Sequence, residues 1–361
     1  MAPVRDAVEN DRQDAVLQVE DLRVYYDTPA GPIKAVDGVT FALRSGERMG
    51  LIGESGSGKT TMATAIMRLI HPPGRIAGGR VLLGNRDLLA MGEAELRQTR
   101  LKEIALVPQA AMNSLNPVMR VGRQITDAIV AHEPQLSRSE LRARALEALD
   151  QVGLPAVVAD RFPHQLSGGM KQRAAMAFAV SMRPRVIVAD EPTSALDVVV
   201  QRQVMVTLGR VQAGLHAAVI LIGHDMGLIA QFADVIGVLY AGRLVEHGDI
   251  DEILEEPKHP YTRLLIDSLP NLDAKKELRG IPGLPPALLN LPDSCPFHPR
   301  CPFAFERCRV ETPNLQAITP KRRVACHLYP THSGLPPLPT TANGMTSTES
   351  AVGTNPAEAM P

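Results

Sequence analysis

The chain has 361 residues, with 38 Lys and Arg against 39 Asp and Glu for a formal net charge of -1, and 45% of it is hydrophobic. At ~150 residues per domain this length suits about two domains, or one large α/β domain with an appendage, and the missing basic surplus excludes a protein that coats a nucleic-acid backbone electrostatically. No apolar run approaches the ~20 residues that a membrane-spanning helix needs, and residues 1–16 lack an apolar signal core, so the cytoplasm is the expected compartment.

In chain order, residues 1–15 are polar and read as a disordered N-terminus. From Val16 to about Leu265 strand-like and helix-like segments alternate, the pattern of an α/β domain. Met49–Ile52, Ile104–Val107, Val186–Ala189 and Val219–Ile222 are short apolar runs of the kind buried on both faces of a mostly parallel sheet. Thr61–Ile70 reads as a helix. Residues 111–182 read as a helical insertion: Ser137 and Glu140 form a capping box, Leu141, Ala145, Leu149 and Val152 share one face, and Gly153 is the stop. Val235–Tyr240 and Arg243–His247 predict a β-hairpin through Ala241 and Gly242. Beyond about Leu265 prolines crowd a stretch, residues 266–330, that holds all four cysteines, and residues 331–361 have a disordered composition. Trp is absent and aromatics make up 3% of the chain, which predicts an aliphatic core.

Three segments carry chemistry. Gly53-Glu54-Ser55-Gly56-Ser57-Gly58-Lys59-Thr60, with Thr61 behind it, follows a strand-like run and opens a helix-like one, as a phosphate-binding loop requires. Its glycines let backbone N–H groups converge on phosphate, Lys59 adds a point charge, and Thr60 offers a hydroxyl to Mg²⁺. Asp190 and Glu191 end an apolar strand 131 residues after Lys59; Asp190 is placed to hold Mg²⁺ and Glu191 to polarise an attacking water as a general base. Leu166-Ser167-Gly168-Gly169-Met170 opens a helix-like run and is a second anion site. One nucleotide does not need two such helix starts in one chain, so this one is expected to meet phosphates held by a second subunit.

The ordered set GESGSGKT, Gln109, LSGGM, VIVADEPTSALD and His224 resembles the nucleotide-binding subunits of ABC transporters over about residues 16–265. The resemblance implies an α/β P-loop NTPase (RecA-like) core with an antiparallel β subdomain and a helical insertion, plus a Pro/Cys-rich C-terminal extension. It implies a head-to-tail dimer with two ATP between the loop of one subunit and the LSGGM segment of the other. Gln109 matches the glutamine that senses Mg²⁺ and the permease, His224 the histidine that reaches the γ-phosphate, Asp197 an aspartate of the dimer interface, and Tyr26 an aromatic that stacks on adenine, with Tyr25 competing. Met170 and Gly223 depart from the commoner residues without touching a catalytic position.

Ser114-Leu-Asn-Pro117, His259-Pro-Tyr261-Thr-Arg-Leu-Leu265 and the cysteine-bearing tail narrow the resemblance to the dipeptide/oligopeptide/nickel importer subfamily. That implies two permeases, a periplasmic or lipid-anchored substrate-binding protein, a second ATPase subunit (sister or identical), and a place at the cytoplasmic face of the membrane. Cys295, Cys301, Cys308 and Cys326 are spaced C-x5-C-x6-C-x17-C, which is neither a zinc-ribbon nor a ferredoxin pattern. Four thiolates suit [4Fe–4S] or Zn²⁺; the resemblance leans to the cluster, with His298 and His327 outside candidates for zinc ligation but read as surface residues. The rival reading is a soluble ABC-type ATPase acting on nucleic acid or ribosomes. The single cassette, neutral charge and absence of long heptads argue against it.

Overall fold

The computed structural model describes residues 14–109, 111, 114–268 and 280–329. The predicted tail 331–361 and all but the last two residues of the predicted N-terminal arm lie outside them. Ala15 belongs to the first strand and is 8% exposed.

The strands in chain order are β1 (Ala15–Thr28), β2 (Gly31–Arg44), β3 (Arg48–Ile52), β4 (Gly74–Leu83), β5 (Arg86–Asp87), β6 (Ile104–Val107), β7 (Val186–Asp190), β8 (Ala218–Ile222), β9 (Val235–Tyr240), β10 (Arg243–Asp249), β11 (Gln316–Ala317) and β12 (Arg323–Val324). They form an antiparallel sheet in the order β2-β1-β4-β5 and a larger sheet in the order β11-β12-β10-β9-β3-β8-β7-β6. The run from β9 to β6 is parallel throughout.

Every residue of β7 and β8 is buried, which is why both are unbroken apolar runs rather than alternating ones. Their alternate side chains serve two cores. Ile187, Ala189, Val219 and Leu221 pack with the helical segments. Val186, Val188, Ala218 and Ile220 pack under the antiparallel sheet with Leu17, Phe41 and Met62.

The expected helical insertion comprises Val121–His132, Arg138–Gln151 and Gly168–Val180, with two 3₁₀ turns between the last two. Ser137 and Glu140 form the reciprocal cap, and Gly153 takes φ +68 just past the helix end. The helix after the phosphate loop is shorter than predicted, Lys59–Ile66. Arg68 turns to φ +52, and the Arg100 guanidinium donates to the Met67 and Arg68 carbonyls at 3.1 and 2.9 Å, satisfying acceptors that the helix end leaves open. The hairpin of β9 and β10 turns through Ala241 and Gly242, both at positive φ, as a tight hairpin turn demands.

The C-terminal extension, residues 280–329, holds little regular structure, in keeping with its prolines. It docks on the main sheet through β12, which pairs with β10. Glu246 and Arg322 form an ion pair whose side chains are 0% and 3% exposed, at 2.6 Å. The Glu246 carboxylate also accepts the Lys258 and His259 backbone N–H groups at 2.8 and 2.9 Å.

Candidate functional site

Four of the segments singled out by sequence meet because four parallel strands end on one sheet edge. The glycine loop follows β3, His224 follows β8, Glu191 follows β7 and Gln109 follows β6, and in the sheet these strands are consecutive neighbours. Ligand crevices in such sheets form beyond the C-terminal strand ends. The crevice here is lined by Ala35, Ser55, Gly56, Gly58, Lys59, Thr60, Thr61, Gln109, Glu191 and His224.

The loop needs its glycines for different reasons. Gly53 (φ +149) and Gly58 (φ +104) lie against backbone: a Cβ there would stand 2.1 Å from the Leu239 and Ala35 carbonyl oxygens respectively. At Gly56 (φ +77) a Cβ would meet nothing within 4 Å, so that glycine faces open space. Lys59 is 7% exposed, and its Nζ donates to the Gly53 and Glu54 carbonyls at 2.7 and 2.9 Å. Burial lowers its pKa, and Glu191, Asp190 and Glu54 oppose that shift.

At the far side of the crevice the Thr60 hydroxyl donates to Asp190 Oδ1 at 3.2 Å. Asp190 is 3% exposed, and burial pushes its carboxyl above the ordinary range against the Thr60 bond. A buried carboxylate beside a hydroxyl is an oxygen donor pair of the kind that a hard divalent cation takes. Gln109 Nε2 donates to Glu191 Oε2 at 2.8 Å, and His224 Nδ1 lies 3.8 Å from Glu191 Oε1. Glu191 itself sits at φ +44, a costly conformation for a residue with a Cβ and one that concentrates at working sites. Its N–H is held by the Ile222 carbonyl at 2.9 Å.

Other predicted residues stand elsewhere. Ser167 caps the helix Gly168–Val180, its Oγ accepting from Met170 N at 3.3 Å, and is exposed with Gly168. Gly169 abuts Val200: a Cβ there would lie 2.5 Å from its Cγ1. Asp197 caps the helix Val198–Leu215 from an exposed position. None of these four lines the crevice of its own chain. Tyr26 lays its ring against Gly74, also away from the crevice. Tyr25 is committed elsewhere: its hydroxyl donates to Asp37 at 2.7 Å and Arg75 covers its ring. Ser57 is buried beneath the loop, and Glu54 turns away from the crevice toward the C-terminal extension.

All four cysteines line one small cavity, walled by Phe297, Phe303 and Leu328. Burial raises the Cys295, Cys301 and Cys326 thiols to about 11, 12 and 12. His298 and His327 line the same cavity rather than the surface expected of them. His327 is 9% exposed, with Nε2 2.9 Å from the Glu311 carbonyl, and His298 Nδ1 lies 2.8 Å from the Cys295 carbonyl. Among the described residues no group of three or more His, Cys, Asp or Glu is arranged to hold a single metal ion.

A glycine loop on the edge of a parallel sheet, with a buried aspartate beside the loop threonine, defines the class: an α/β P-loop nucleotide-binding protein. The ABC transporter family matches residues 36–194, and the C-terminal region of oligopeptide/dipeptide transporters matches residues 245–308. The chain is 45% identical over 316 residues to the dipeptide transport ATP-binding protein of Caldanaerobacter subterraneus subsp. tengcongensis, covering 87% of this chain and 97% of that one. It is 43% identical to the oligopeptide transport ATP-binding protein of Escherichia coli K12, covering 87% and 93%. Among solved structures, a dimeric ATP-binding cassette in a post-hydrolysis state bound to ADP and Pi superposes with a TM-score of 0.59 at 28% identity, covering 65% of this chain and 98% of that one.

The chain therefore belongs to the ABC transporter family, as an ATP-binding subunit of the dipeptide/oligopeptide/nickel importer group. It is an ATPase whose hydrolysis drives import, and the nucleic-acid alternative has no support in these relatives.

Proposed function

We propose that this subunit energises uptake of peptides or related solutes through two permeases fed by a substrate-binding protein, from the cytoplasmic face of the membrane. The 97% coverage of a dipeptide transport relative, extension included, carries that reading. No helix among the described residues is long and apolar enough to cross a membrane.

In this reading the backbone N–H groups of residues 53–60 cradle the triphosphate, Lys59 reaches the β- and γ-phosphates, and Thr61 borders them. Thr60 and Asp190, with Gln109, would hold Mg²⁺, which supplies charge neutralisation on the phosphate oxygens when bound. Glu191 takes the proton of the attacking water, its carboxylate aimed by Gln109 Nε2. His224, next to Glu191, reaches the γ-phosphate. Tyr26 does not line the crevice, so it supports the adenine only where the base extends beyond it. Ser167, Gly168 and Asp197 are exposed because they serve the other protomer: the serine–glycine helix start, Gly169 included, completes the site of a second ATPase subunit, identical or sister. Gln109 and the helical insertion receive the permease.

Four thiols lining one cavity are a soft donor set of the kind that a [4Fe–4S] cluster or Zn²⁺ takes, and of the two the cluster is the reading put to the test. Anaerobically purified protein is expected to be brown and to contain iron; stoichiometric zinc without iron would overturn the cluster assignment.

The functional reading is tested by purifying the tagged chain from membranes in detergent. Two membrane proteins should co-purify, and a peptide-loaded binding protein should stimulate ATP hydrolysis by the complex in vesicles. A chain that fractionates with ribosomes or nucleic acid instead would overturn it.

A further inference from the structure

Glu54, the second residue of the phosphate loop, is gripped at three points, two of them by residues far away in sequence. Its carbonyl accepts from Lys59 Nζ at 2.9 Å. Its backbone N–H donates to the Tyr261 hydroxyl at 2.8 Å. Its carboxylate takes a two-pronged bond from Arg300, at 2.6 and 2.9 Å. Arg300 lies in a 3₁₀ turn, His298–Arg300, bracketed by Cys295 and Cys301, and its side chain is only 4% exposed.

The setting of that arginine is built rather than incidental. Its guanidinium lies 5.8 and 5.9 Å from the Tyr240 and Phe297 ring centres. Its Nε donates to the Pro282 carbonyl at 2.8 Å, and Nη1 lies 3.3 Å from the Tyr240 hydroxyl. Tyr240, Tyr261 and Phe297 pack on one another with ring centres 4.6 to 5.4 Å apart. In a chain that is 3% aromatic, three fully buried aromatic rings gather at this one junction.

The chemistry gives the contact a purpose. A carboxylate on an anion-binding loop repels the phosphates that the loop exists to hold. A planar guanidinium meeting it at two points cancels that charge and fixes the direction of the carboxylate, which a lysine could not do. We propose that Arg300, supplied by the C-terminal extension, is a positioning residue for the nucleotide site, and that with Tyr261 it sets the phosphate loop through Glu54 for binding ATP. The extension is then part of the ATP site as well as an appendage. This rests on the reading of residues 53–60 as the phosphate loop.

The test uses the full chain in its assembled complex, measuring ATP affinity and the KM and kcat of hydrolysis. Arg300→Gln is expected to weaken ATP binding and raise KM about tenfold, with kcat at saturating ATP within about twofold. Arg300→Lys, which keeps the charge without the fork, should fall between. Tyr261→Phe should shift KM the same way by less, and combined with Arg300→Gln it should be less than additive, since both act on one residue. If Arg300→Gln does not fold, Tyr261→Phe and Arg300→Lys carry the test. Lowered thermal stability with ATP affinity and KM unchanged would overturn the proposal and leave Arg300 a docking contact only. Lys59→Ala separates the two readings: if it too leaves ATP binding intact, the loop assignment itself is wrong.

Discussion

Gly58 and Gly56 are adjacent members of one motif, and the structure asks different things of them. A methyl at Gly58 would collide with the Ala35 carbonyl at 2.1 Å in a backbone at φ +104, whereas one at Gly56 would meet open space at φ +77. Gly58→Ala is expected to cost about 1–3 kcal/mol of stability or more and to abolish ATP binding. Gly56→Ala should cost about 1 kcal/mol, the left-handed conformation alone. Urea unfolding and nucleotide titration check both, and equal effects would contradict the geometry. At this scale the sequence was highly legible where chemistry is contiguous. Thr60 and Asp190 meet, because each motif carries its own local backbone geometry. Arg300 was not legible as a partner of Glu54. The two are 246 residues apart, and nothing in either local segment encodes the meeting. The signal was present in the Cys-Pro-Phe-His-Pro-Arg-Cys run and in His259-Pro-Tyr261, which read only as family marks until packing joined them.

Among the elements, the hairpin, the capped helix at Ser137 and the parallel strands follow from periodicity and turn chemistry. The exception is the helix after the loop. Its apolar run continues to Ile70, but the chain turns at Arg68 and Arg100 closes the end, a tertiary contact that propensity cannot foresee. The attachment of the extension is likewise tertiary and rests heavily on one buried pair. Glu246 holds Arg322 and two backbone N–H groups, while Arg322 also donates to the Glu252 and Glu256 carbonyls. Arg322→Met leaves the Glu246 carboxylate buried without its cation, a change that typically costs about 3–5 kcal/mol. Denaturant unfolding should show a loss of that size, and a loss below about 1 kcal/mol would mean that the extension is held by other contacts.

For the molecule as a whole, the crevice opens on one edge of the larger sheet and the extension docks on that sheet through β10, and stability carries a pH signature of that packing. His247, on β10 beneath the extension, has both ring nitrogens buried without a hydrogen-bond partner, and burial with Arg323 nearby pushes it down to about 4. Unfolded, it titrates near ~6.5, so between those values the unfolded chain binds the extra proton. Its contribution to stability is therefore fully present above about pH 6.5 and lost as pH falls toward 4. His247→Gln should flatten the stability–pH slope in that window; an unchanged slope would contradict it. The aliphatic core foreseen from composition holds for most of the sheet positions and fails at the junction of Tyr240, Tyr261 and Phe297, because composition counts residues and cannot say where they gather. The central claim is that Glu191, aimed by Gln109, drives hydrolysis at this crevice. The most direct measurement is the nucleotide retained by the Glu191→Gln complex after gel filtration. The account predicts intact ATP held on this chain, with hydrolysis lowered by about 10²- to 10⁴-fold. ADP release at the unaltered rate, with no ATP retained, would contradict it.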